Sequence, residues 1–153
     1  MSDRISPPDD LEQVLDDLKK AGIFATKQKG LMFAAAVGWA QRKSHPAEQP
    51  TALGEGIRVE YFERPRDFGF VDALAVTEAE DLLELALDKD DARIRRFEAY
   101  ANVGLRAIRR ACFESGVSVQ QGILNLIDVL MSPPSGALPG LDKDLERLKK
   151  LTL

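Results

Sequence analysis

The side chains able to do metal or nucleophilic chemistry are few, because the chain holds one histidine and one cysteine. His45 stands beside Pro46 in a polar stretch, with no acid or thiol at a ligand spacing. Zinc needs several convergent ligands, so a solvated loop histidine is expected. Cys112 falls on the apolar side of a long helical segment. A reactive thiolate needs an exposed, electropositive setting, so a buried and inert thiol is expected there. The carboxylate pairs Asp9-Asp10, Asp16-Asp17 and Asp90-Asp91 each stand beside an expected helix end, where acids serve capping and the helix dipole. A magnesium site built on them would need further acids to converge. Gly136 and Gly140 flank Pro139 but lack the spacing and the following Lys-Ser/Thr of a phosphate loop. The expectation is a non-enzymatic chain with no catalytic residue, no metal and no cofactor.

One constellation suggests binding. At about 100° per residue, Ile94, Phe97, Ala101, Gly104, Leu105, Ile108 and Cys112 gather on one side of the helix from about Ala92 to Ser115. Arg95, Arg96, Arg106, Arg109 and Arg110 gather on the other, with Asn102 among them. Glu98 and Glu114 lie toward the edges of this face, where they can pair with arginines. Five arginines and no lysine suit phosphates or carboxylates, because the guanidinium fork grips such groups with two donors. These five are the candidate binding residues for nucleic acid or an acidic partner. The competing reading is a solvated face or an intramolecular ion-pair network. Trp39 reads as a core or interface anchor. Stacking of a base on it is the alternative, because Arg42 and Lys43 are near.

The elements that must position these residues are helical. Leu11, Val14, Leu15 and Leu18 recur at i, i+3, i+4 and i+7, with Lys19 and Lys20 in the last turn and Gly22 as the stop. Thr26 caps a second helix running to about Arg42. Its stretch Leu31 to Ala40 is apolar almost all round and is expected to be the buried central helix, with Gly30 and Gly38 admitting a close neighbour. A polar loop with Pro46, Pro50 and Gly54 spans about 43–56. Ile57, Val59 and Tyr61 alternate with charged residues as in a short strand. Phe68 to Val76 suits a third helix, and Thr77 with Glu80 has capping-box spacing before Leu82-Leu83 and Leu85, which suits a new helical turn or short helix there. Ser118 and Gln121 open a helix through about Leu130, which Pro133-Pro134 ends. A Pro/Gly loop covers about 132–140, and Leu141, Leu145 and Leu148 mark a last short helix. The fold class is all-α or nearly so: five to seven helices around a buried central one, with at most one short β pairing, in a single domain over residues 1–153.

Composition bounds the rest. A chain of 153 residues with 44% hydrophobic and 30% charged residues is globular in type. Its net charge of −4 argues against a protein that simply coats nucleic acid. A lone cysteine, a polar start and no secretory h-region predict a reducing, cytoplasmic setting. The longest apolar run falls far short of the roughly 20 residues that span a bilayer, so no membrane association is expected.

Two stretches look familiar together: Gly22-Ile-Phe-Ala-Thr-Lys-Gln-Lys-Gly-Leu-Met-Phe-Ala-Ala-Ala-Val-Gly38 and Arg96-Phe-Glu-Ala-Tyr-Ala-Asn-Val-Gly-Leu105. With Val59-Glu-Tyr-Phe-Glu63 between them, the layout resembles a family of DNA phosphorothioation (Dnd) system-associated proteins, over roughly residues 4 to 115. The part from Val117 onward is longer than that pattern. The resemblance implies a place beside the prokaryotic machinery that exchanges a backbone phosphate oxygen for sulfur, or that restricts DNA lacking the mark. It carries over no catalytic residue, and Gly38, Tyr100, Asn102 and Gly104 fit packing at least as well as function.

The leading expectation is an accessory or binding protein of a phosphorothioate modification or restriction system, in defence against foreign DNA. It contacts a partner protein of that system, DNA, or both, through the arginine face. Two alternatives stand beside it. One is a ribbon-helix-helix-like, homodimeric DNA-binding regulator, suggested by Arg4-Ile5-Ser6 ahead of two helices, although Pro7-Pro8 limits the ribbon. The other is a metal-dependent nuclease built on convergent carboxylates.

Overall fold

A computed structural model gives the fold and describes residues 2–132 and 150–151. The expected short helix at Leu141 to Leu148 and most of the 132–140 loop lie outside the described residues. Among the described residues six α-helices follow in order: α1 (Glu12–Lys20), α2 (Lys27–Ala40), α3 (Glu60–Glu63), α4 (Phe68–Ala79), α5 (Asp90–Phe113) and α6 (Val119–Met131). The strands β1 (Arg4–Ile5) and β2 (Ile57–Arg58) form one antiparallel pair. The chain is therefore nearly all-α.

Local chemistry sets most boundaries. Leu11, Val14, Leu15 and Leu18 are buried, and Gly22 ends α1 at φ 73°, a left-handed value that other residues rarely adopt. The Thr26 hydroxyl accepts the Lys29 N–H at 3.2 Å, and the Ser118 hydroxyl accepts that of Gln121 at 3.1 Å. Two expectations are corrected. The strand stops at Arg58, because Val59 and Phe62, three residues apart, are both buried while Tyr61 faces water. A turn of helix from Glu60 puts those two on one side, whereas strand alternation would put them on opposite faces. Thr77 starts no new helix. Its hydroxyl donates back to the Ala73 carbonyl inside α4, and the next turn is capped by Asp81, which accepts the Leu83 N–H at 2.9 Å.

The buried centre is the pair α2 and α5. Both are apolar where they meet, and α5 also carries α1, α4 and α6. Its 24 residues run about 36 Å, long enough to be packed on by every other long helix. The two helices touch backbone to backbone. A Cβ on Gly104 would collide with the Ala34 carbonyl, and one on Gly38 with the Tyr100 carbonyl. Gly122 plays the same part where α6 crosses α5 at Ala111 and Cys112. Phe97 anchors the core beside Phe62 and Phe70, each edge-on with centroids about 6 Å apart.

The short sheet corrects a further expectation. β1 finds its partner in the same chain, Arg4 opposite Arg58 and Ile5 opposite Ile57, rather than forming a ribbon shared between subunits. The Ser6 N–H beyond it is taken by the Glu98 carboxylate at 2.8 Å.

Candidate binding surface on helix α5

The arginine face is built by α5, but the loop between α2 and β2 crosses it. Asn102 donates to the Glu48 carbonyl at 2.8 Å, Gln49 donates to the Arg95 carbonyl at 2.8 Å, and Gln41 donates to the Val103 carbonyl at 3.2 Å. Asn102 and Ala99, in the middle of the face, are buried as a result. The five arginines therefore fall into two groups, Arg95 and Arg96 toward one end and Arg106, Arg109 and Arg110 toward the other. At 1.5 Å per residue, about 16 Å of covered helix lies between Arg95 and Arg106.

Within the groups the arginines differ. Arg96 binds Glu78 at 3.0 Å and Glu84 at 3.5 Å. Arg106 meets Asp10 at 3.2 Å, and Arg109 meets Glu114 at 3.4 Å. Arg95 and Arg110 are exposed, and neither has a carboxylate within 4.0 Å among the described residues. Asp10, at the first of the carboxylate pairs, thus reaches the face from the segment before α1.

Glu98 departs from the expectation that it edges this face. It is buried and turned toward the N-terminal strand, where it accepts the Ser6 N–H. Burial pushes its carboxyl up to about 7, against the opposing pull of that hydrogen bond and of Arg95. Sequence reading also passed over Arg93. This guanidinium is buried, with Nε 2.8 Å from Asp72, a hydrogen bond to Asp90 and others to the Glu84 and Ala86 carbonyls. The signal was its spacing of four from Phe97, which puts a lone arginine on the apolar stripe.

The remaining candidates are placed plainly. Cys112 is buried, and burial raises its thiol. His45 is exposed, its Nδ1 2.9 Å from the Ser44 hydroxyl. Arg42 lies over the Trp39 ring, 3.9 Å from its centroid, and Tyr100 meets the ring edge-on at 5.5 Å. One ring face is therefore occupied by the chain's own cation. Among the described residues no three His, Cys, Asp or Glu side chains converge as a metal site. Nor is any helix there long and apolar enough to cross a membrane.

Comparison with known proteins places this arrangement. No curated protein and no solved structure matches the chain. A family model does match, over residues 4–133, and so takes in α6 as well as the stretches whose pattern looked familiar. The glycine-lined α2–α5 crossing, the β1–β2 pair and the loop across α5 all lie inside that match, and the chain belongs to the family described as DNA sulphur modification system-associated protein 4.

Proposed function

We propose that this protein is a non-enzymatic binding component of its DNA sulphur modification system, and that Arg95 and Arg110 make its charged contacts with a partner. One observation carries the reading. In an acidic chain whose other three face arginines are each held by a carboxylate, these two are exposed and unpaired among the described residues. An unpaired arginine is free to grip a carboxylate or phosphate without first giving up an intramolecular partner. Arg106 and Arg109 can join by exchanging Asp10 and Glu114 for the incoming group. Arg96, held twice, keeps a structural role.

A protein partner with acidic groups suits this surface better than bare duplex. Two free cations release few counterions, and a net charge of −4 opposes the phosphate backbone.

The test measures binding of the purified chain to each protein of the system and to duplex DNA with and without phosphorothioate. Arg95→Glu with Arg110→Glu is expected to weaken the productive contact at least tenfold while circular dichroism stays unchanged. If DNA is the ligand, the logarithmic salt slope should be near −2, at about −0.9 per phosphate contact. Absence of binding to every one of these ligands, or affinity unchanged by the double reversal, overturns the proposal.

A further inference from the structure

Residues 82–89, between α4 and α5, are folded inside out. Leu82 through Leu85 and Leu87 through Lys89 form two successive 3-10 turns. Leu82, Leu83, Leu85 and Leu87 are 73, 70, 45 and 89% exposed, whereas Glu84 in their midst is 7% exposed. The acid is drawn inward by cations. Lys89 Nζ bonds it at 2.8 Å and Arg96 lies at 3.5 Å, and the Lys89 hydrogen bond holds the Glu84 carboxyl below its ordinary value. Arg93 ties down the backbone through the Glu84 and Ala86 carbonyls, the latter at 3.0 Å, and Asp81 caps the first turn. Four leucines are thus presented to water on a turn fixed from beneath. Leucines exposed at four of six consecutive positions mark an interaction site, and their fixed backbone lowers the ordering cost of binding.

The charge around the patch selects the occupant. Glu80 and Asp81 immediately precede these leucines, Asp88 immediately follows them, and all three are exposed, which gives the turn acidic flanks. Lys89, Arg93 and Arg96 are already engaged by Glu84, Asp72, Asp90 and Glu78. A second copy seated here in two-fold fashion would bring acidic flanks together, which costs affinity. We propose that the Leu82–Lys89 turn is a preformed docking surface for a cationic amphipathic segment of a partner protein, its apolar side on the leucines and its Lys or Arg side chains against Glu80, Asp81 and Asp88. This surface is separate from Arg95 and Arg110, and the inference stands or falls independently of them.

The probe is a helical peptide of Leu and Lys with one apolar face, tested against the full chain by fluorescence anisotropy. A Leu/Glu counterpart and a scrambled Leu/Lys peptide serve as controls. The amphipathic cationic peptide is expected to bind at least tenfold tighter than either control. Leu82→Ser with Leu87→Ser should remove that margin without changing the fold, because both side chains are already in water. Glu80→Gln with Asp88→Asn should weaken binding severalfold and flatten its salt dependence. Arg95→Glu with Arg110→Glu should leave it intact. Equal binding of the scrambled or Leu/Glu peptide, or affinity unchanged by the serine substitutions, overturns the inference. So does a dimer in sedimentation that those serine substitutions dissolve, because the occupant is then a second copy.

Discussion

The α2–α5 crossing and the Leu82–Lys89 turn solve opposite problems. At the crossing the backbones touch through Gly38 and Gly104, and apolar side chains close around them. At the turn a carboxylate is inside, leucines are outside, and guanidinium groups hold the arrangement. One region is specified by shape and the other by charge. The first tolerates no added atom. The second tolerates almost any change on its outer side and little on its inner side.

The sharpest way to break this contrast is to add one methyl group at the crossing. Gly104→Ala puts a Cβ against the Ala34 carbonyl, far inside the 3.0 Å that real Cβ atoms keep, and the obstacle is backbone rather than a flexible tip. We expect a loss above about 4 kcal/mol, read as a lowered midpoint in urea unfolding. Gly69→Ala in α4 is the control. Nothing lies within 4 Å of its Cβ position, so the better helix propensity of alanine should raise stability by about 0.5–1 kcal/mol.

The inner side of the turn should respond nearly as strongly. Arg93→Ala leaves Asp72 and Asp90 without their guanidinium and frees the Glu84 and Ala86 carbonyls. Removing one partner of a buried ionic group costs about 3–5 kcal/mol. Hydrogen exchange distinguishes this from a general loss. Amides of Leu83 to Lys89 should lose protection first, while those of α2 and the middle of α5 keep theirs.

The difference between the two regions also explains what could be read from sequence. Helix caps at Thr26 and Ser118 were legible because donor and acceptor stand three residues apart. The buried side of α5 was legible because Ile94 through Cys112 follow one helical period, and Gly38 and Gly104 stood out within apolar helices. The turn was not legible. Leu82, Leu83 and Leu85 look like the start of a buried helix until Glu80 adopts φ 53° and Asp81 takes the capping role. The arginine face was legible as a side of a helix and illegible as a surface. What divides it is the loop through Glu48 and Gln49, whose bonds to α5 span 46 to 54 positions in sequence. Ile57, Val59 and Tyr61 mimicked a strand because alternation over five residues also fits a strand that gives way to a helical turn.

Glu98 sharpens the comparison, because among the described residues it is a buried carboxylate without a cation bonded to it. Its folded-state value near 7 lies above the ordinary 4.5, so the native state binds the extra proton. The stability this contributes is fully present below about pH 4.5 and is lost as pH rises through 7, a swing of up to about 3 kcal/mol. Glu98→Gln can still accept the Ser6 N–H through its amide oxygen and has no charge to desolvate. Thermal melts from pH 5 to 8 should fall more steeply for the wild type than for this variant, with the variant the more stable at pH 8. Parallel melting curves would mean that burial of Glu98 is relieved in solution.

The smallest effects belong to the outer side of the turn and to the free arginines. Leu82→Ser, Leu87→Ser, Arg95→Glu and Arg110→Glu should each change stability by no more than about 0.5 kcal/mol, since every side chain concerned is already in water. That near-neutrality is informative for the leucines. If Leu82 and Leu87 were exposed only because the turn is loosely packed, serine would raise hydrogen exchange at Leu83 to Lys89 as Arg93→Ala does. If Arg93, Arg96 and Asp81 fix the turn from beneath, exchange there stays unchanged while solubility improves and apolar-dye binding falls. The second outcome separates a surface held out for a partner from a segment that failed to find the core.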